Sequence, residues 1–195
     1  GALRIVELGA KRQSARERFG RFASHVERKV GITPEISAER YVPNLGLSAQ
    51  GKLRTEFPGV GAIELAIEGT KGVMRIFNAA GKQAASAPAA MKREHGDEVK
   101  EMRETAKGCC KMLLNQRDRL ENLLIEPRSW EFPKFGELYL AHPLVGSLAR
   151  RLIWTLDGVP VVFPESKPGD VKGKADKVSE SSRVEPWHPL GQPVN

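Results

Sequence analysis

The chain has 195 residues, 40% of them apolar and 28% charged, with a formal net charge of +7. That length supports one domain or two small ones, with a core, some loop and some solvated helix. No apolar run approaches the roughly 18–20 residues of a membrane span, and no charged-then-apolar leader opens the chain. No membrane partner is expected.

The first 30 residues carry eight basic side chains (Arg4, Lys11, Arg12, Arg16, Arg18, Arg21, Arg28, Lys29) against three acidic ones (Glu7, Glu17, Glu27), most of the net excess. Such a stripe can attract nucleic acid, although a solvated helix face beside a neighbouring domain explains it as well. Leu8, Phe19, Phe22, Val26 and Val30 give a thin apolar face, so residues 3–30 are predicted to be helical, with Gly31 and Pro34 as the stop. The chain begins Gly1-Ala2 and runs to Asn195 without an evident terminator, so a piece of a longer protein is expected. Residues 1–40 are accordingly read as a helical lead-in belonging to the parent chain. Residues 41–195 are read as a domain that is cut short at its C-terminus.

Residues 45–86 read as β-structure. In Ile63-Glu64-Leu65-Ala66-Ile67-Glu68, Ile63, Leu65 and Ile67 share one face while Glu64 and Glu68 point the other way, the period of a half-buried strand. Gly69-Thr70-Lys71-Gly72 is a turn, Val73–Phe77 the returning strand, and Asn78-Ala79-Ala80-Gly81 a second turn. An earlier pair is predicted from Leu45–Leu47 and Leu53–Phe57 around Gln50-Gly51. This small antiparallel meander needs a partner for one face.

A helix over residues 92–125 supplies it. Val99, Met102, Ala106, Cys109, Leu113, Gln116, Leu120 and Leu123 recur at alternating steps of three and four, one stripe of a helix. Gln116 is the polar exception. Buried, its amide would reach a strand edge or loop carbonyl, or else a ligand. Cys109 and Cys110 are the only cysteines. Neighbours on a helix point about 100° apart, so they cannot form an ordinary disulfide. Without C-x-x-C spacing they do not make a zinc site with His142 and His188 either. Reduced thiols point to a cytoplasmic protein, and neither a metal nor another cofactor is expected.

Residues 133–151 read as two helical pieces broken at His142-Pro143, because a residue before proline avoids the α region and proline favours a first turn. Leu144, Leu148 and Leu152 lie four apart on the second piece. Ile153–Leu156, Asp157-Gly158 and Val159–Phe163 spell a two-residue hairpin, with Pro160 placing the returning strand at an edge. Residues 164–182 are a loop rich in Lys, Pro, Gly, Asp and Ser.

The ordered run Asn115-Gln116-Arg117-Asp118-Arg119-Leu120-Glu121, Trp130, Leu140-Ala141-His142-Pro143-Leu144, Leu148-Ala149-Arg150-Arg151-Leu152-Ile153-Trp154, Asp157-Gly158, Phe163 and Trp187-His188-Pro189-Leu190 resembles a known pattern. It is similar to the uncharacterised domain, a domain of unknown function, of MolR-type proteins, the so-called molybdate metabolism regulators. The resemblance is strongest over residues 110–190 and weaker over 44–109. It implies a large bacterial parent protein, often with a WGR module and helical repeats, whose sequence continues past the second His-Pro. It implies no established activity.

His142 and His188 are the weak catalytic candidates, as general bases; a histidine ending a helix on a carbonyl is the structural alternative. Arg128, Trp130, Arg150 and Arg151 are the candidate nucleic-acid contacts, by charge and stacking, although pairing with Glu121, Glu126 or Glu137 would also occupy the arginines. Gly59-Val60-Gly61 leads into a strand and is no phosphate loop, and no nucleophile elbow or dinucleotide fingerprint occurs. The expected fold is α+β: a small antiparallel meander packed on a long amphipathic helix, then a helical segment and a C-terminal hairpin. The leading expectation is a non-catalytic interaction or scaffold domain, with other domains of the parent chain as partners. A nucleic-acid-associated module is second, and an enzyme fragment whose site is completed by absent C-terminal sequence is third.

Overall fold

A computed structural model describes residues 33–164, 172–173 and 178–188, together with His25, Lys29 and Gly31. The chain divides into two compact units, Gly1–Leu45 and Gly46–Asn195. The helix expected over residues 3–30 falls outside the described residues except at His25 and Lys29, both helical and exposed.

In the first unit Gly31 takes left-handed backbone (φ 70°) after helical Lys29, as the expected stop requires, and Pro34 begins the next helix. Helix α1 is Pro34–Arg40, with Thr33 as its cap: the Thr33 hydroxyl accepts from Ile36 N–H at 3.4 Å. A capping hydroxyl followed by proline at the first helical position is a start signal, since proline lacks only an N–H that would be orphaned there.

The second unit is α+β. Its first sheet is an antiparallel meander in the order β1 (Lys52–Phe57), β2 (Gly61–Glu68), β3 (Lys71–Asn78), β4 (Gln83–Ala84). The strand expected at Leu45–Leu47 does not form. Leu45 (φ 53°) and Gly46 (φ 77°) take left-handed backbone, and Ser48 N–H donates to Lys52 O at 2.7 Å, making turns that feed β1. The other turns are as read. Gly69 (φ 64°) opens the β2–β3 link, and Asn78 Oδ1 closes the β3–β4 link by accepting from Ala80 and Lys82 N–H, each at 3.0 Å.

On the meander's outer face Arg54 pairs with Glu64 at 3.4 Å, and Glu64 stands opposite Arg75, which pairs with Glu68. Ile63 and Leu65 are fully buried. Sheet and helix meet at Gly72. A Cβ on Gly72 would lie 3.3 Å from Ala106 O and 3.4 Å from Cys109 Cβ, so glycine lets the layers approach closely here. Gly72 N–H also donates to Cys110 Sγ at 3.4 Å. Burial pushes the Cys109 thiol up to about 11, helped by its neighbour Cys110.

The long helix is two pieces, α2 (Ala89–Glu94) and α3 (Gly96–Asn122). His95 breaks it with φ −133° and ψ 32°; its ring stacks on Phe57 at 4.3 Å and its Nδ1 lies 3.2 Å from Glu98 Oε1. The Glu98 carboxyl is lowered by its own backbone N–H and then by His95. Along α3 the predicted stripe is the buried one: Val99, Met102, Cys109, Leu113, Gln116 and Leu120 are all buried, as is Leu123 just past the helix, with Ala106 half-buried.

The rest of the chain builds a second antiparallel sheet around a helical connection. In order these elements are β5 (Trp130–Glu131), α4 (Phe132–Phe135), a π-helical turn (Gly136–Leu140), α5 (Val145–Ala149), β6 (Trp154–Leu156), β7 (Val159–Val162), β8 (Lys172–Gly173) and β9 (Arg183–Pro186). Spatially the order is β5-β9-β6-β7-β8. The break at His142-Pro143 is present. Asp157 (φ 50°) and Gly158 (φ 82°) form the β6–β7 turn, both left-handed as a type I′ hairpin requires.

Two details differ from the sequence reading. Strand β7 is not an edge, because β8 pairs with it at Val161 and Val162. Pro160 lies one residue before those pairs, opposite Thr155 of β6. Leu152 is 39% exposed, unlike buried Leu144 and Leu148, because α5 ends at Ala149 before reaching it.

Candidate functional site

The second sheet and its helical connection close over an aromatic cluster. Phe135 stacks on Tyr139 (centroids 5.0 Å apart) and meets Trp154 edge-on at 4.7 Å; Trp130 meets Tyr139 edge-on at 4.9 Å. Phe163 joins at 5.3 Å from Phe135. Phe135, Tyr139 and Phe163 are completely buried and Trp154 nearly so. The edge-to-face and offset geometries are those that ring quadrupoles favour.

Backbone groups left over by the short helical pieces are satisfied by side chains of the motif residues. Trp154 Nε1–H donates to Ala149 O at 2.8 Å, closing the C-terminal end of α5. His142 Nδ1 accepts from Leu144 N–H at 3.2 Å and Val145 N–H at 3.3 Å, closing its start. Arg150 donates to Leu140 O at 3.2 Å and to Pro164 O, tying the π-helical turn to the chain leaving β7. Gly146 completes the packing: a Cβ there would sit 2.7 Å from Leu140 O.

The candidate residues therefore take different places. His142 is a helix cap, and its Nδ1 lone pair points at backbone N–H groups. His188 is half-buried and follows β9, just after Trp187, whose N–H donates to Ile153 O at 3.2 Å. Trp130 is buried inside the cluster, with Arg128 over its ring at 5.6 Å. Arg150 holds carbonyls, not carboxylates. Arg151 is exposed, its guanidinium lying against Gly69 at the β2–β3 turn. Among the described residues no group of three or more His, Cys, Asp or Glu side chains could hold a metal ion.

Sequence reasoning missed Arg119 and Tyr139. Gln116 is buried, but its partner is neither a strand edge nor a loop. Its Oε1 accepts from Arg119 Nε at 2.8 Å. Arg119 Nη1 donates to Tyr139 Oη at 2.9 Å, and the guanidinium carbon lies 5.1 Å from the Tyr139 ring centroid. The available signal was the spacing: Arg119 stands three residues after the one polar position on the stripe, where helix neighbours meet.

These wired residues fall within one family segment. Residues 81–194 match the model of a domain of unknown function, DUF4132. The chain belongs to this family. No curated protein and no solved structure matches the chain. The DUF4132 segment begins at Gly81, after the first three strands, and takes in α2, α3, the aromatic cluster and every strand of the second sheet. Among the described residues no helix is long and apolar enough to cross a membrane.

Proposed function

We propose that this DUF4132 chain is a non-catalytic interaction domain of a larger, MolR-like bacterial cytosolic protein, and that it docks onto other domains of its parent. The observation that carries the reading is the pair Leu124 and Ile125 at the exit of α3, 46% and 79% exposed. A second adjacent pair, Leu152 and Ile153, is 39% and 45% exposed. Single exposed apolar residues are ordinary, whereas contiguous exposed apolar surface marks contact sites, and each pair is a candidate for such surface. The polar motif groups support the same reading from the other side, since His142, Arg150 and Trp154 are engaged by backbone and are not presented to a substrate.

Nucleic-acid association is the second reading, motivated by the basic excess in residues 1–30 and by exposed Arg151. The two separate cleanly. Ile125→Asp and Ile153→Asp should leave the melting temperature of the chain within about 2 °C, as exposed substitutions do. They should abolish its co-purification with the rest of the parent protein supplied in trans. Unchanged co-purification would sink the docking reading. Binding of the wild-type chain to a generic duplex at low salt, falling steeply with salt, would establish the nucleic-acid reading instead.

A further inference from the structure

The guanidinium of Arg119 is held on two of its three nitrogens and unmet on the third. Nε is fixed by Gln116 Oε1 and Nη1 by Tyr139 Oη. Both acceptors are neutral, so neither compensates the charge. Nη2 is buried and has no hydrogen-bond partner among the described residues. A buried polar nitrogen without an acceptor is uncommon, and a cationic one is costlier still.

The supports are themselves rigid. Gln116 is 5% exposed and Tyr139 is completely buried between Phe135, Trp130 and Trp154. The guanidinium therefore cannot swing away to find solvent without leaving two bonds unmade. A guanidinium held on two nitrogens, with the third buried and unmet, suits an oxygen bearing negative charge.

We infer that Arg119 Nη2 is the anchor of an oxyanion site, taking one carboxylate or phosphate oxygen beside the contact with Tyr139. This site is independent of the apolar pairs proposed for docking. Because Nη2 is buried, the ligand is taken to be a small oxyanion. Oxygen lone pairs would accept from Nη2–H, and the anion would supply the charge that Gln116 and Tyr139 do not.

The test is calorimetric titration of the folded chain with inorganic phosphate and, separately, with sodium acetate. Saturable binding of one of them is expected, the preferred anion naming the ligand chemistry. Arg119→Lys keeps the charge but loses the fork, and should weaken binding about tenfold or more; Arg119→Met should abolish it. Tyr139→Phe keeps the ring, releases Nη1 and should weaken binding as well. If Arg119→Met does not fold, the lysine and phenylalanine variants carry the comparison. The inference fails if neither anion binds the wild-type chain saturably, or if Arg119→Lys and Tyr139→Phe both bind as tightly as wild type. It fails equally if a high-resolution structure grown with each anion shows only a water on Nη2.

Discussion

The meander with α3 and the aromatic-centred second sheet occupy the same domain but are held together differently. The first is a layered aliphatic core: alternating strands, an apolar stripe on a helix, and one glycine where the layers touch. Its consecutive strands are neighbours, so each contact is set by local periodicity. The second places β9, the last described strand, between β5 and β6, so its sheet cannot be completed until the chain end returns. Its helices are too short to satisfy their own ends, and side chains from distant positions do so instead. One half shows what patterning alone achieves; the other shows what happens when secondary structure is short and tertiary wiring replaces it.

The sharpest way to break that contrast is to remove the hub of the wired half. Trp154→Ala deletes a ring packed against three others and the hydrogen bond to Ala149 O. It should cost about 3–5 kcal/mol, read as a lower urea midpoint by circular dichroism. An effect below about 1 kcal/mol would show that the cluster does not organise the second sheet.

Next come the two glycines of close approach. Gly146→Ala would drive a Cβ to 2.7 Å from a carbonyl oxygen, whereas Gly72→Ala meets its nearest atom at 3.3 Å. The first should cost about 1–3 kcal/mol and the second less, because a few tenths of an ångström can be absorbed between sheet and helix. Equal costs in thermal denaturation would erase the difference in tightness between the two halves.

His142→Ala should cost about 1 kcal/mol, the scale of a lost helix cap, and His142→Asn should recover most of it, since a short amide can accept from the same N–H groups. A loss that asparagine does not recover would point to a role for the ring beyond its acceptor.

The smallest effect is one of pH. Asp157 Oδ1 accepts from Arg183 N–H at 2.7 Å, and this bond, then Ser182, holds the carboxyl below its ordinary value. With the folded value depressed, the stabilisation is complete above the unfolded aspartate range near about 3.9 and is lost as pH falls through the folded value. Asp157→Asn should therefore flatten the acid limb of melting temperature against pH while changing little near neutrality. An unaltered limb would mean that the β6–β9 contact does not depend on the carboxylate.

How much of this was legible follows the same division. The β2 and β3 strands, the α3 stripe, the helix break at His142-Pro143 and the Asp157-Gly158 hairpin are all periodic or turn-encoded within a few residues. The interruption at His95 was not, because it depends on a ring finding Phe57 at the end of β1. The edge assignment of β7 failed because the covering strand β8 is only two residues long and carries no strand pattern. Arg119 escaped notice because a charged residue beside a buried stripe ordinarily faces water; its importance arises only when Tyr139 arrives from a different element. Gln116 was singled out correctly as the polar exception, but its partner lay three residues along its own helix.

By itself the amino-acid sequence determined the local elements, the α+β class and the buried face of α3, because hydrophobic period and turn chemistry act over short spans. Tertiary structure alone decided the order of the second sheet and the conversion of His142, Arg150 and Trp154 into caps and clamps. It also decided that one guanidinium nitrogen of Arg119 is buried and unmet. Those depend on which distant groups end up within hydrogen-bond reach, and no local pattern encodes that distance.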